Sequence, residues 1–300
     1  MIKNSALFST IFHFMSLRGI GPVQTNKLLL SLDEYSPISF QDLAFNFLTS
    51  EQKAAYAAIK DDPIEVNPKF DVRFVLLHDE LYPSDLRESM STSTPPVLSI
   101  IGNEALLNKK KVAFSGSRNV SDKGIKITEE TVESLVKEDV VIVSGYAKGV
   151  DFSAHYTALK HGGSTIIVLP EGINHFRIKS ELKDVWDWDR VLVISEFQPH
   201  EKWMASRAMK RNLTIIALSD AVVVVEAGAT GGSIDAGNKT LEKNKALFVP
   251  HYSKFPASAE GNPSLLHKGA IPLRMNKETM KPNIGKIIEV LQEKVRSGLF

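Results

Sequence analysis

The stretch Val112-Ala113-Phe114-Ser115-Gly116-Ser117-Arg118-Asn119 decides the predicted fold. Its short apolar run ends in a glycine turn, and the residues from about Gly124 to Lys137 then show the apolar spacing of a helix. The same succession of apolar run, glycine turn and helical stretch returns several times along the chain. Continuous apolar runs that alternate with helices are typical of a parallel sheet covered on both faces. Residues 111–250 therefore predict a doubly wound α/β domain.

Further apolar runs extend this sheet on both sides of the opening stretch. Within the domain they are Val140–Ser144, Thr165–Leu169, Val191–Ile194, Ala221–Val225 and Ala246–Val249, with a helix from about Phe152 to His161. Upstream, strand signals begin at Val72–Leu77 and return at Pro95–Gly102.

Roughly the first sixty residues lack this alternation and predict a small helical module. Apolar residues recur at helical spacing between Ser9 and Leu32, which predicts two short helices joined by a turn at Gly19–Pro22. Pro22 suits the first turn of the second helix, because its missing N–H would be unpaired there in any case. Two further helices are predicted at Phe40–Phe47 and Glu51–Ile59, Asp61-Asp62-Pro63 ends the module, and Ile284–Phe300 predicts an amphipathic helix.

These patterns divide the chain into three predicted parts. They are an all-helical module at residues 1–65, the α/β domain at residues 66–282 and a C-terminal helix at residues 283–300, with no further domain after it.

Composition excludes several classes of protein. The chain has no cysteine, so disulfides, thiolate metal sites and cysteine nucleophiles are excluded, and a reducing cytoplasm is the expected compartment. The formal net charge is only +1, so any nucleic acid would bind through a local basic patch. His13 and Arg18 interrupt the N-terminal segment before an apolar run is long enough for a signal peptide or a membrane span. We expect a cytoplasmic protein that contacts no membrane and uses no metal or cofactor.

Ligand-binding residues are expected directly after the strands, because ligands of doubly wound sheets bind outside the carboxyl ends of the strands. Glycine at the Gly116-Ser117-Arg118 turn lets the backbone approach an oxyanion, and the next helix offers unpaired N–H groups. Arg118 adds a planar fork of donors suited to phosphate. Glycine turns follow three more strands, at Gly145 with Lys148, at Gly172, and at Gly231, Gly232 and Ser233 with Asp235. The four turns together predict a phosphate-bearing ligand.

A structural reading of these turns remains open, since any parallel α/β fold needs glycine where a strand turns tightly into a helix. One such turn would be structural as readily as functional, whereas four in one sheet favour a binding site. The turns match neither the G-x-G-x-x-G fingerprint nor a Walker loop, so NAD and ATP are not inferred.

Two pairs of ionisable residues are weaker candidates. Asp151 and His155 share a helical face and would suit a metal or acid/base pair, but an acid at a helix start with a packed histidine is the favoured reading. Glu171 and Asp235 would form a carboxylate pair only if their loops converge.

Basic and aromatic residues leave similar alternatives. The cluster Arg207, Lys210 and Arg211 is interpreted as a solvated helix face, although it precedes the fifth strand of the domain. Burial is the commoner fate of tryptophan, but Trp186, Trp188 and Trp203 would also suit stacking on bases.

The order and spacing of several motifs carry a family resemblance. The motifs are Gly116-Ser117-Arg118 with Ser121 and Gly124, Ser144 to Asp151 with Ala154-His155, Gly162 to Leu169, Ser195-Glu196, and Arg211-Asn212 ahead of Leu218-Ser219-Asp220. Tyr82-Pro83, Pro95-Pro96-Val97-Leu98 and Gly102-Asn103 precede them. Each motif is weak alone, but over about residues 70 to 270 their order is specific. The chain resembles the DprA (Smf) family of bacterial DNA-processing proteins, and its N-terminal hairpin resembles the family's helical module, of the helix-hairpin-helix or SAM-like kind.

The resemblance implies an extended Rossmann-like, doubly wound and mostly parallel sheet that binds single-stranded DNA without turning over a substrate. It implies a dimer that hands the strand to the recombinase RecA. Arg118 with the amides of Gly116 and Ser117 would hold one backbone phosphate, and Lys179 would hold another. The implied pocket also includes Arg211 and Asn212, with Phe176 packing against a base.

The chain departs from the family pattern at three places. Leu213 stands where the family often has a second arginine after the Arg-Asn pair, and Asp235 adds an acid to the last glycine-rich turn. The family's common C-terminal winged-helix domain is not expected here.

Three classes of function follow. The first is a DprA-like single-stranded DNA-binding recombination mediator that acts in transformation or recombination and has no catalytic residue. The second is a nucleotide sensor, or a LOG-type nucleoside-monophosphate phosphoribohydrolase of the same superfamily, which Gly231-Gly232-Ser233 with Asp235 resembles loosely. Hydrolysis is the less favoured form because the glutamate of that family's loop is missing. The third is a scaffold that acts through its helical hairpin.

Overall fold

The alternation of strands and helices is present in the second of two structural units. The computed structural model describes residues 5–31, 39–59, 63–276, 278–279 and 281–297. The first unit comprises Met1–Ile101, Glu171–His175 and Ser195–Lys202, and the second comprises Gly102–Pro170, Phe176–Ile194 and Trp203–Phe300.

The sheet of the second unit consists of parallel strands, which are β3 (Lys111–Ser115), β4 (Val141–Ser144), β5 (Thr165–Val168), β6 (Val191–Ser195), β7 (Ala221–Val224), β8 (Ala246–Pro250) and β9 (Ile271–Leu273). Their order across the sheet is β6-β5-β4-β3-β7-β8-β9. From β3 the chain adds strands in one direction as far as β6 and then returns to place β7 on the other side of β3. The sheet therefore has a topological switch point between β3 and β7.

Helices cover both faces of this sheet. They are α6 (Asp122–Val136), α7 (Val150–Lys160), α8 (Ala205–Leu218), α9 (Gly232–Glu242), α10 (Asn262–His267) and α11 (Gly285–Ser297). One core joins Val112 and Phe114 of β3 to residues of α6, α7 and α11. Ala113 lies between them and is also fully buried, as expected for a strand that is covered on both faces.

The first unit contains helices and an antiparallel strand pair. The helices are α1 (Ser5–Ser16), α2 (Pro22–Leu29), α3 (Phe40–Phe47), α4 (Ser50–Ile59) and α5 (Ser84–Met90), and β1 (Arg73–Leu76) pairs with β2 (Val97–Gly102). An aromatic core forms between α1 and β1, where the ring centroids of Phe8 and Phe74 are 4.9 Å apart. Pro22 is in the first turn of α2, as predicted.

The predicted α/β class is confirmed, and most predicted elements lie within a few residues of the observed ones. The sequence patterns missed α5, α10 and β9, which are short. Asp61, Asp62, Leu32 and residues 298–300, which the predicted elements included, lie outside the described residues.

In the part of the chain that the structure describes, no helix is both long and apolar enough to cross a bilayer. The three-part division at residues 65/66 and 282/283 stays a prediction.

Candidate functional site

A cleft of about 600 Å3 opens at the switch point of the second unit. Its walls come from the loops after β3, β4 and β7, from α8 along most of its length and from the start of α9. The predicted residues that line it are Gly116, Ser117, Arg118, Gly145, Arg211, Asn212, Gly231, Gly232 and Ser233. Sequence reasoning therefore located most of the cleft, because the carboxyl ends of neighbouring parallel strands meet at one edge of the sheet.

The Gly116-Ser117-Arg118 turn is fixed by its own backbone. The Ser117 N–H donates to the carbonyl oxygen of Glu226 at 2.7 Å, and the Ser117 carbonyl accepts from Val150 N–H at 3.4 Å. The predicted use of the Ser117 amide to hold a phosphate is therefore corrected, because this N–H is already committed to Glu226. The Ser117 hydroxyl, which accepts from Asn119 N–H at 3.1 Å, keeps its own hydrogen for a ligand. The Arg118 side chain is exposed at the cleft.

The carboxyl group of Glu226 connects three loops below that turn. Glu226 follows β7 and is fully buried. Its oxygens accept from Ser121 N–H at 2.9 Å and from the hydroxyls of Ser121 (2.5 Å), Ser258 (2.6 Å) and Tyr252 (3.0 Å). Burial raises the pKa of the Tyr252 hydroxyl most strongly, and the charge of Glu226 and the hydrogen bond to its carboxylate raise this pKa further. The hydroxyl therefore stays protonated and acts as a donor. Sequence reasoning did not single out Glu226, although it ends the β7 apolar run at the sheet edge where ligands bind.

Arg211 and Asp151 occupy the space that Gly145 leaves free. A Cβ on Gly145 would clash with the Arg211 guanidinium and the Asp151 carboxylate. Asp151 also accepts from Ala147 N–H at 3.2 Å. Arg211 is only 6% exposed, so the predicted solvated helix face is wrong for this residue, which lines the cleft instead.

Asn212 and the last glycine turn form another side of the cleft. The Asn212 amide donates to the carbonyl oxygen of Gly232 at 3.3 Å, which ties α8 to the start of α9. Gly231 adopts φ of +105°, a conformation that side chains disfavour.

Lys179 supports the turn after β4. Its ammonium donates to the carbonyl oxygens of Tyr146 (2.9 Å) and Ala147 (3.3 Å), and it lies 4.3 Å from the centre of the Tyr146 ring. Partial burial lowers the pKa of Lys179, while burial raises the pKa of Tyr146 to about 12. Lys148 is exposed in the same turn. Neither lysine is among the residues that line the cleft, and phosphate contact by Lys148 and Lys179 stays a prediction.

Phe176 is buried among other aromatic rings. It is 1% exposed, and its ring centroid lies 5.8 Å from Tyr146, 5.9 Å from Trp186 and 6.3 Å from Trp188. The predicted contact of Phe176 with a base is corrected, because a side chain that is almost fully buried among other rings has no exposed face on which a base could stack. Trp186 and Trp188, which were expected to be buried, are half-buried, and their rings pack together with centroids 5.1 Å apart.

Two other predicted residues do not line the cleft. Asp235 forms an ion pair with Lys239, one helical turn later in α9, at 2.7 Å. This pairing compensates the negative charge that Asp235 adds to the last glycine-rich turn. Gly172 belongs to the first unit, where added side-chain atoms would meet the backbone of Gln198 and Pro199. Glu171 lies in that unit too, and its pairing with Asp235 stays a prediction.

His155 is a packed core residue, and Asp151 lies in the first turn of α7, as the favoured sequence reading expects. The His155 Nε2 atom lies 2.6 Å from the carbonyl oxygen of Gly145, and Nδ1 lies 2.6 Å from the Thr165 hydroxyl. A carbonyl only accepts, so Nε2 donates and thereby anchors the Gly145 turn. Among the described residues, no three histidine or acidic side chains converge as metal ligands would.

Acid is expected to destabilise the protein through His155. Burial, opposed by its bond to Gly145 and the charge of Asp151, lowers the pKa of this imidazole to about 4, against about 6.5 in an unfolded chain. The unfolded state thus takes up the proton first, so the free energy of unfolding falls as pH drops from about 6.5 to 4. Urea unfolding across this interval measures the loss. His155→Gln, which keeps a donor but does not titrate, should show a smaller pH slope, and equal slopes would contradict the assignment.

The charges of the cleft suit an anion. Its lining contains the guanidinium groups of Arg118 and Arg211 and the carboxylate of Asp151. A glycine turn beside arginine allows close backbone approach and forked hydrogen bonds to phosphate. The fold and the cleft thus define a Rossmann-like α/β protein with a candidate anion-binding site at its switch point.

Residues 73–282 match the family model described as DNA recombination-mediator protein A, and the chain belongs to that family. It is 37% identical over 194 residues to the DNA processing protein DprA of Streptococcus pneumoniae, covering 64% of this chain and 67% of that protein. It is 33% identical over 199 residues to protein Smf of Escherichia coli, covering 64% of this chain and 51% of that protein. The chain thus spans about half to two thirds of the length of these relatives.

Two solved structures share the fold. The X-ray structure of DprA from Streptococcus pneumoniae superposes with a TM-score of 0.73 at 28% identity, covering 90% of this chain and 94% of that one. DNA processing protein A from Helicobacter pylori, described for its single-stranded DNA binding mode, superposes with a TM-score of 0.59 at 25% identity, covering 75% of this chain and 96% of that one.

Proposed function

We propose that this protein binds single-stranded DNA through the switch-point cleft and acts as a recombination mediator that delivers the strand to a RecA-type recombinase. The observation that carries the proposal is the exposed Arg118 beside the Gly116–Ser117 turn, in a cleft that also contains Arg211. Guanidinium groups bind backbone phosphates and release counterions, which requires no catalytic group. The single-stranded DNA binding described for the Helicobacter pylori relative supports this ligand.

The assembly and the setting belong to the same proposal. The protein acts as a cytoplasmic homodimer in transformation or recombination. In this proposal residues 1–65 are its helical module, residues 66–282 its DNA-binding domain and residues 283–300 a further helix.

A small nucleotide is the second candidate ligand, because a cleft of about 600 Å3 is within the usual range for small-molecule sites. Hydrolysis of that nucleotide is less well supported. The carboxylate in the cleft lining is Asp151, which is 8% exposed and bonded to the Ala147 backbone. An acid held in this way is poorly placed to activate water.

A binding panel separates these functions. The protein is titrated with fluorescent oligo-dT and with nucleoside mono- and triphosphates, and release of free base from AMP is assayed in parallel. We expect binding of oligo-dT, at least tenfold weaker competition by nucleotides and no free base. We expect a tenfold ratio because a DNA strand presents many phosphates to the basic side chains in and around the cleft, whereas a nucleotide presents only a few. Tight nucleotide binding without DNA binding would identify a sensor, and free base would identify a hydrolase.

A further inference from the structure

Trp203 differs from the other two tryptophans in its surroundings. It is 48% exposed, whereas the rings of Trp186 and Trp188 pack against each other and against Phe176. It directly precedes Met204, the residue that begins α8 as its N-cap. The Trp203 indole therefore lies at the surface beside the cleft and does not pack in the core.

The indole of Trp203 also lines the cleft, and the Arg118 guanidinium carbon lies 5.9 Å from its ring centroid. Met209, on the first turns of α8, is 43% exposed and lines the same wall. An aromatic face beside a phosphate-binding arginine is the arrangement that single-strand binders use to stack a base while they hold the backbone.

We propose that Trp203 stacks on a nucleobase of the strand whose phosphate is held at Arg118. This inference rests on the proposed single-stranded DNA function and specifies how the cleft contacts the bases. Stacking uses the π-face that every base has, so the contact discriminates little between sequences. A charged guanidinium over the ring and an anion-binding turn beside it favour a nucleotide over an apolar protein partner.

The experiment compares oligo-dT with an abasic sugar–phosphate oligomer of equal length, which carries the same charge but no bases. The native protein should bind oligo-dT more tightly. Trp203→Ala should lower the affinity for oligo-dT about tenfold and leave the affinity for the abasic oligomer unchanged. Trp203→Phe, which keeps a ring, should retain most of the affinity, and Trp186→Phe serves as a control for loss of a packed tryptophan. Oligo-dT should also quench tryptophan emission in the native protein but not in Trp203→Phe.

Several results would overturn the inference. One is equal binding of both oligomers by the native protein, and another is unchanged oligo-dT binding by Trp203→Ala. A third is an equal loss of affinity for both oligomers in Trp203→Ala, which would indicate that the indole has a structural role. A change of oligomeric mass in Trp203→Ala with DNA binding retained would assign the indole to a contact between copies. Failure of the proposed function itself looks different, since the native protein would then bind neither oligomer.

Discussion

Gly149→Ala is expected to abolish measurable binding of single-stranded DNA near physiological salt. Gly149 adopts φ of +76° at the start of α7, and an added Cβ would clash with the Ser117 carbonyl oxygen and lie 2.9 Å from the Arg118 Cα. These are backbone atoms, so rotation of a side chain cannot relieve the clash. The Gly116-Ser117-Arg118 turn must therefore move, and Arg118 with it.

Gly162→Ala is the matched control for this substitution. Gly162 has φ of +78°, yet an added Cβ there would have no neighbour within 4 Å. Both variants place alanine at a positive φ, which costs on the order of 1–3 kcal/mol, and Gly149, with ψ of −126°, lies in a region that is largely restricted to glycine. Only Gly149→Ala should also lose DNA affinity, measured by fluorescence anisotropy. Similar affinities for the two variants would show that the position of the turn does not govern binding.

Glu226→Ala is expected to lower the free energy of unfolding on the order of 3 kcal/mol. The substitution removes the acceptor for the Ser121 amide and for the hydroxyls of Ser258 and Tyr252. The amide cannot rotate to another partner, and burial keeps water from replacing the carboxylate. The midpoint of urea unfolding measures this loss.

DNA affinity should fall as well in Glu226→Ala, because Glu226 joins the start of α6 to the loop after β7, whose backbone holds the Ser117 amide. Glu242→Ala is the control, since Glu242 is an exposed acid at the end of α9. A shift in the urea midpoint no larger than that of Glu242→Ala would contradict the role assigned to Glu226.

The sequence was informative where one local rule decides the structure. Continuous apolar runs such as Val140–Ser144 predicted buried parallel strands, and the glycine turns after β3, β4 and β7 predicted the edge of the sheet where the cleft lies. β9 was missed because it is three residues long and contains Pro272, which is unfavourable within a strand.

Burial and pairing decided the side-chain roles that sequence reasoning missed. Nothing local distinguishes Phe176, which is enclosed, from Trp203, which is exposed, because tertiary packing sets their exposure. The bond from Ser117 N–H to Glu226 joins residues more than a hundred positions apart. The Asp235–Lys239 ion pair, by contrast, has the four-residue helical spacing and was open to prediction.

The salt dependence of oligo-dT binding, compared between the native protein and Arg118→Ala, tests the central claim most directly. If Arg118 holds a backbone phosphate, its loss should weaken binding and reduce the slope of log affinity against log salt by about 1. Arg274→Ala removes an exposed arginine that does not line this cleft and should preserve both quantities. The same affinity and slope in Arg118→Ala as in the native protein at low salt would contradict DNA binding at the Gly116-Ser117-Arg118 turn.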